Sequence, residues 1–122
     1  MIDFKNKSFV KMKPYDDYAE KVENLLLPDE KVVRAFKSMR DGVVFTDKRI
    51  IAVNVQGITG KKRDFTSIPY SKITTYSVET AGTFDLDAEL EIYMSAVGSV
   101  KFEFTAGSDI VEISNIISRA VL

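Results

Sequence analysis

Two short runs of cationic residues are the positions whose residue types most clearly suggest ligand binding. Lys48 and Arg49 follow a strand-like stretch, and Lys61, Lys62 and Arg63 follow a glycine-containing segment. Ammonium and guanidinium groups form charge-assisted hydrogen bonds with phosphates and with anionic lipid headgroups. We therefore take these five residues as candidate ligand-binding residues. The alternative interpretation is that they keep two loops solvated.

Catalytic chemistry is restricted by two absences, because the chain contains no histidine and no cysteine. Ser-His-Asp triads, zinc hydrolase sites, thiolate nucleophiles and disulfide scaffolds are thereby excluded. The segment from Gly57 to Lys61 lacks the spacing of a phosphate-binding P-loop. Carboxylate-only chemistry remains open, although spacing alone picks out no carboxylate pair. We predict no catalytic residue, no metal ligand and no cofactor, and hence a protein that is not an enzyme.

Three alternating carboxylates, Asp85, Asp87 and Glu89, are the nearest approach to a calcium-binding pattern. An EF-hand loop needs a glycine at its sixth position and a glutamate at its twelfth, and neither is matched here. We interpret the three as solubilising residues of a loop.

Size and charge are those of one ordinary globular domain. The chain has 122 residues, 45% of them hydrophobic, and a net charge of -1. It lacks the basic field of a nucleic-acid-binding protein and the run of about 20 apolar residues that spans a membrane. Its first residues do not have the form of a signal peptide. We predict a cytoplasmic protein that binds no nucleic acid.

Helical spacing is confined to the two ends of the chain. Residues 1–13 carry four lysines and are interpreted as a loosely held arm or a short edge strand, since lysine blunts sheet edges. Apolar residues at helical spacing predict a helix over about 15–27, which Pro28 ends. A second amphipathic helix begins at Ser108 or Asp109, either of which can cap it.

Between the helices, apolar and polar residues alternate with the period of β-strands. Seven strands are predicted, at 31–38, 43–46, 50–56, 63–68, 73–79, 89–94 and 100–105. Strands in this order form a meander, and a seven-stranded sheet of this size curls into a partly open barrel or two packed sheets. The C-terminal helix is expected to close one open end. The predicted organisation is one domain, with an arm and helix (1–28), a β-barrel (29–107) and a closing helix (108–122).

Several segments resemble motifs of the bacterial pleckstrin-homology (PH) domains. Leu26 to Lys31 is similar to the family's L-x-P-x-E entry into the first strand. Residues 41–51 resemble its hairpin with T-x-x-R, and Ile68 to Ile73 resembles its I-P-Y-x-x-I segment. The resemblance covers about 26–122. It implies a mainly β, PH-like, seven-stranded partly open barrel or orthogonal sandwich closed by a C-terminal helix, here with an additional N-terminal helix.

Apolar residues on both faces of the early strands suggest a second covered surface. The outward set, for which Val44 and Ile50 are the candidate interface residues, is expected to lie under the N-terminal helix or under another subunit. The bacterial family resembled here commonly forms ring-shaped homo-oligomers, so the resemblance implies self-association into a scaffold. The alternative is peripheral binding to a membrane surface or an anionic ligand through the basic loops, with another protein or an anionic lipid as partner.

Overall fold

The computed structural model describes residues 1–83 and 86–122. Asp85, one of the three alternating carboxylates, therefore lies outside the described residues. The regular elements of these residues are eight strands, a 3-10 helix near the N-terminus, a short 3-10 turn and one α-helix. In chain order they are β1 (Phe9–Pro14), the 3-10 helix (Asp16–Leu25), β2 (Val32–Lys37), β3 (Asp41–Thr46), β4 (Arg49–Gln56), β5 (Lys62–Pro69), the 3-10 turn (Tyr70–Lys72), β6 (Thr75–Glu79), β7 (Ala88–Met94), β8 (Gly98–Phe104) and α1 (Ile110–Val121).

The strands form one open mixed sheet in the order β5-β4-β3-β2-β1-β8-β7-β6. Strands β2 to β5 form one antiparallel meander and strands β6 to β8 form another. The single seven-stranded meander that the sequence predicts is therefore wrong at one step, because β5 and β6 lie at opposite edges of the sheet. Strand β1 joins the two meanders, because it pairs antiparallel with β2 and parallel with β8. The sheet therefore has eight strands instead of the predicted seven, and β5 and β6 lie at its edges.

The interpretation of residues 1–13 as a loose arm or an edge strand is wrong. Phe9 and Met12 are buried, and β1 lies inside the sheet between two neighbours. Its pairing with β8 shifts register between these two residues, and Lys11 there has a φ of 56°. Ile2 is also buried, and its amide donates a 3.0 Å hydrogen bond to Thr66 Oγ1 on β5. The arm is thus an integral part of the core.

The main core lies between the inner face of the sheet and α1, as the amphipathic pattern predicts. Ile113 and Ile117 of α1 are fully buried against residues of both meanders. Asp109 caps the helix, accepting a 3.1 Å hydrogen bond from the Glu112 amide. Arg34 of β2 reaches Glu112 with its Nε 2.6 Å from Oε1, which fixes the helix to the first meander.

A second, smaller core lies on the opposite face of the first meander, under the 3-10 helix. Val22 of that helix packs on Val44, Ile51 and Val53, and all four are fully buried. Of the two alternatives for this face, the N-terminal helix is thus the cover. It winds with three residues per turn instead of the 3.6 of the expected α-helix.

The prediction that Val44 and Ile50 belong to one outward-facing set, available as an interface with another subunit, is wrong. Val44 belongs to the second core and Ile50 to the main core, and both are 0% exposed within a single chain. The sequence pattern shows apolar side chains on both faces of β3 and β4. It does not show that elements of the same chain cover both faces. Neither side chain can contact a second copy without unpacking the domain.

Gly42 is required by a close approach, not by the turn geometry expected from its neighbours. Its φ is not positive, whereas Gly57 and Gly60 in the next hairpin have φ values of 76° and 68°. A Cβ at Gly42 would lie 2.1 Å from Cε2 of Tyr18. The absent side chain therefore lets the Tyr18 ring cover the second core, and burial raises the pKa of Tyr18.

Candidate functional site

Arg49, one of the five candidate ligand-binding residues, is held by the protein itself. Its Nε and one terminal nitrogen each donate a 2.9 Å hydrogen bond to the Glu30 carboxylate. That terminal nitrogen also lies 2.6 Å from the Leu25 carbonyl oxygen, and the other is 3.0 Å from Ser67 Oγ. The bond to the Leu25 carbonyl fixes the end of the 3-10 helix to β4, and the bidentate pair with Glu30 fixes the segment that follows the helix. Arg49 is therefore a structural residue and has little capacity left for a ligand.

Thr46 is the point where three of the sequence motifs meet. Its hydroxyl donates a 2.7 Å hydrogen bond to Glu30 and accepts bonds of 3.0 Å from the amides of Lys48 and Arg49. Its carbonyl accepts a 2.8 Å bond from the hydroxyl of Tyr70. The L-x-P-x-E, T-x-x-R and I-P-Y motifs thus supply one buried polar network, which we call the Thr46 network.

Glu30 is the charged centre of the Thr46 network, and its residue surface is 7% exposed. Burial by itself raises the pKa of this carboxyl group. Hydrogen bonds from Arg49, Thr46 and the Leu27 amide lower the pKa by more than burial raises it. The pKa of Glu30 therefore falls from 4.5 to about 2. The carboxylate stays ionised and paired at neutral pH, so it is unsuited to proton transfer there.

The five cationic candidates do not form one site. Arg49 is paired with Pro69 at one end of the β4–β5 ladder, whereas Arg63 is paired with Val55 near the other end. Val55 is six residue steps from Arg49 along the extended strand, which corresponds to a distance of about 20 Å. Lys48 lies near Arg49 and forms a 3.4 Å ion pair with Asp29.

The remaining three cations, Lys61, Lys62 and Arg63, form an exposed basic hairpin between β4 and β5. Within residues 1–83 and 86–122, none of the three has a carboxylate within ion-pair distance. Arg40 of the preceding hairpin lies beside them and donates a 2.6 Å hydrogen bond to the Gly57 carbonyl. The basic hairpin is thus the part of the predicted ligand site that stays available.

The fold and the Thr46 network can be compared with those of known proteins. The family model described as "Bacterial PH domain" matches residues 3–121 of this chain. The chain belongs to the bacterial PH domain family. The motif resemblance is therefore confirmed, and for this bacterial PH domain the match extends over the N-terminal arm as well.

Relatives and solved structures agree with this assignment. The uncharacterized protein YjqA of Bacillus subtilis is 50% identical over 105 residues, which cover 84% of each chain. A crystal structure of a DUF1696 family protein with a pleckstrin-homology domain, from Shewanella loihica PV-4, is 37% identical. It has a TM-score of 0.80, and the match covers 93% of this chain and 99% of that one. A pleckstrin-homology domain from Shewanella amazonensis SB2B is 41% identical with a TM-score of 0.65, and the match covers 96% and 93% of the two chains.

Two further features bear on the kind of site that this PH domain holds. In the described part of the chain, no group of three or more acidic residues is arranged to hold a metal ion. No described helix is long and apolar enough to cross a bilayer. The polar side chains of the three motifs form hydrogen bonds within the Thr46 network. The candidate functional surfaces are therefore the sheet edges and the exposed cations.

Proposed function

We propose that this bacterial PH domain is a non-catalytic assembly module that associates with copies of itself through the edges of its sheet. The observation that carries the proposal is the open eight-stranded sheet, which ends in β5 on one side and β6 on the other. An edge strand presents unpaired N–H and C=O groups that can pair with another chain. We place the assembled scaffold in the cytoplasm.

The two edges are suited to a head-to-tail contact. Strand β5 has eight residues and pairs only with β4, and strand β6 has five residues and pairs only with β7. A contact between β5 of one copy and β6 of the next is heterologous, and such contacts generate rings when the rotation closes. This mode of assembly needs no outward-facing apolar residue on β3 or β4, in keeping with the buried positions of Val44 and Ile50.

Charge complementarity favours an antiparallel arrangement of the two edges. Lys62 and Arg63 stand at the start of β5, and Glu79 stands at the end of β6. Antiparallel pairing brings these ends together, and opposite charges on neighbouring strands stabilise the pair. All three side chains are exposed in the single chain, so none must break a core contact to take part.

A charge-swap experiment tests the proposed edge contact. We expect Glu79→Lys to raise the dissociation constant of the assembly about tenfold, since it sets like charges side by side. Adding Lys62→Glu and Arg63→Glu to the same chain is expected to restore assembly. The matched control is Glu91→Lys, which lies on the interior strand β7. This substitution is expected to leave the mass of the assembly unchanged. Sedimentation velocity of the four proteins measures the effect, and equal behaviour of Glu79→Lys and the unmodified chain contradicts the edge contact.

The second candidate function, peripheral binding to an anionic membrane surface, rests on the basic hairpin alone. The observation in its favour is that Lys61, Lys62 and Arg63 are exposed and have no ion-pair partner in the described residues. Binding of this kind weakens steeply with salt. We expect a Lys61→Glu, Lys62→Glu, Arg63→Glu variant to lose co-sedimentation with phosphatidylserine vesicles at low salt. A variant that sediments as well as the unmodified chain removes this candidate.

A further inference from the structure

A lysine-lined cavity lies beside β1, on a part of the sheet away from both edges and from the basic hairpin. Its volume is about 310 Å³, within the range of about 300–1,000 Å³ typical of ligand pockets. Its polar lining comes from the N-terminal arm and from β8. The residues used below are Lys5, Lys7, Ser8, Ser99, Lys101 and Glu103.

The charge of this cavity is positive and only partly neutralised. Lys7 is engaged already, since its Nζ pairs with Asp41. Lys5 and Lys101 are exposed, and neither has a carboxylate within ion-pair distance in residues 1–83 and 86–122. Glu103 is the one acidic residue in the lining, so the cavity holds three cations against one anion.

Two further kinds of group complete the lining. The hydroxyls of Ser8 and Ser99 are exposed at the cavity and can donate to an acceptor oxygen. Phe4 is partly exposed and supplies an aromatic wall, and the buried Phe9 supports it with a ring centroid 6.0 Å away. The wall is fixed from behind, because Phe9 also packs on Phe102 of β8 with a centroid distance of 5.3 Å.

The cavity depends on the irregularity of β1. Phe9 pairs with Phe102 and Met12 with Phe104, so three steps along β1 match two steps along β8. A β-bulge of this kind redirects side chains and interrupts pairing. Here it lies where Val10 and Lys101 line the same cavity. The four lysines of the arm, which the sequence suggests as protection of an edge, therefore include two that line a pocket.

The geometry points to a binding site for a small phosphate monoester, with the phosphate between Lys5 and Lys101 and an apolar group against Phe4. The Asp3 carboxylate interacts with the charge of Lys5 from beyond ion-pair distance, and among the described residues neither Lys5 nor Lys101 forms an ion pair. Both ammonium groups can therefore approach a dianionic phosphate, to which lysine binds as a point charge. The serine hydroxyls supply neutral donors to the same oxygens. This site goes beyond self-assembly and does not depend on it, since its residues lie on β1, β8 and the arm.

Titration of the full-length chain with phenyl phosphate, followed by isothermal calorimetry and by amide NMR shifts, tests the site. We expect saturable binding that shifts the amides of Lys5, Ser8, Ser99 and Lys101. Lys5→Gln and Lys101→Gln are each expected to weaken binding about tenfold, because each removes one charge-assisted hydrogen bond. The matched control is Lys21→Gln, an exposed lysine of the 3-10 helix outside the cavity, the sheet edges and the basic hairpin, which leaves the affinity unchanged. Both cavity lysines are exposed, so these variants are expected to remain folded, as circular dichroism can verify.

The source of the phosphate is distinguished by two parallel arms. Phenyl phosphate represents a free phosphorylated molecule, and phosphatidic acid vesicles present the same monoester on a membrane. Binding in either arm that is weakened by Lys5→Gln and Lys101→Gln but not by Lys21→Gln supports the site and identifies the source. The site is overturned by an absence of binding in both arms, or by binding that Lys21→Gln weakens as much as the cavity variants do.

Discussion

Glu30→Gln is expected to lower the free energy of unfolding by about 3 kcal/mol at pH 7. The substitution leaves the Arg49 guanidinium, which is only 22% exposed, without the carboxylate that accepts two of its hydrogen bonds. Removing one member of a buried, hydrogen-bonded ion pair costs about 3–5 kcal/mol, and the partial exposure of Arg49 places this case at the lower end. Urea denaturation followed by circular dichroism measures the change.

The same pair predicts how stability depends on pH. The pKa of Glu30 is about 2 in the folded chain and 4.5 when unperturbed, so its contribution is complete above about pH 4.5 and is lost as the pH falls toward 2. The difference in pKa corresponds to about 3 kcal/mol. We expect the unmodified chain to lose this much between those two pH values beyond what Glu30→Gln loses.

Asp29→Asn is the control, since Asp29 is the neighbouring acidic residue and forms an exposed ion pair with Lys48 at 3.4 Å. Exposed pairs contribute about 0–1 kcal/mol, so this variant is expected to unfold nearly as the unmodified chain does. Equal losses in Glu30→Gln and Asp29→Asn would show that the Thr46 network is not the main attachment of the 3-10 helix.

Val44→Asp is expected to unfold the domain instead of dissociating an assembly. The Val44 side chain is fully buried, because Val22 of the 3-10 helix packs over it. It is therefore accessible neither to water nor to a second copy of the chain. An unpaired carboxylate at this position has no hydrogen-bond partner within the second core, and such a burial costs upward of about 3 kcal/mol. We expect loss of the circular dichroism signal of the sheet at room temperature, or a midpoint of urea denaturation close to zero.

Val111→Asp provides the comparison for Val44→Asp, since Val111 lies on the outer face of α1 and is 60% exposed. This variant is expected to keep its stability within about 0.5 kcal/mol. If Val44→Asp stays folded with unchanged stability but has a smaller mass in solution, then Val44 is an interface residue and the 3-10 helix does not cover it in solution.

The strands were predictable because local alternation and turn residues determine them. All seven predicted strands exist, as does the C-terminal helix with its Asp109 cap. The eighth strand was predicted only as an alternative and only at an edge, because the lysines of residues 5–13 mask the two buried residues, Phe9 and Met12, that fix it inside the sheet. The interior position of β1 depends on pairing with β2 and β8, which are distant in the chain, and no local pattern encodes such a pairing.

The candidate sites were less predictable, for a related reason. Cationic residues are recognisable in sequence, but whether a carboxylate already faces each of them depends on the fold. Arg49 is neutralised by Glu30, 19 residues away, whereas Lys5 and Lys101 come together without such a partner. The motif T-x-x-R together with L-x-P-x-E contained the signal for the first case. Nothing in the spacing of Lys5 and Lys101 signalled the second.

The absolute mass of the unmodified chain in solution, measured by light scattering after gel filtration, tests the central claim most directly. Self-assembly through the sheet edges predicts one species at several times 13.7 kDa that persists on dilution. A single species at 13.7 kDa over the same concentration range would contradict the assembly module and leave the exposed cations as the functional surface.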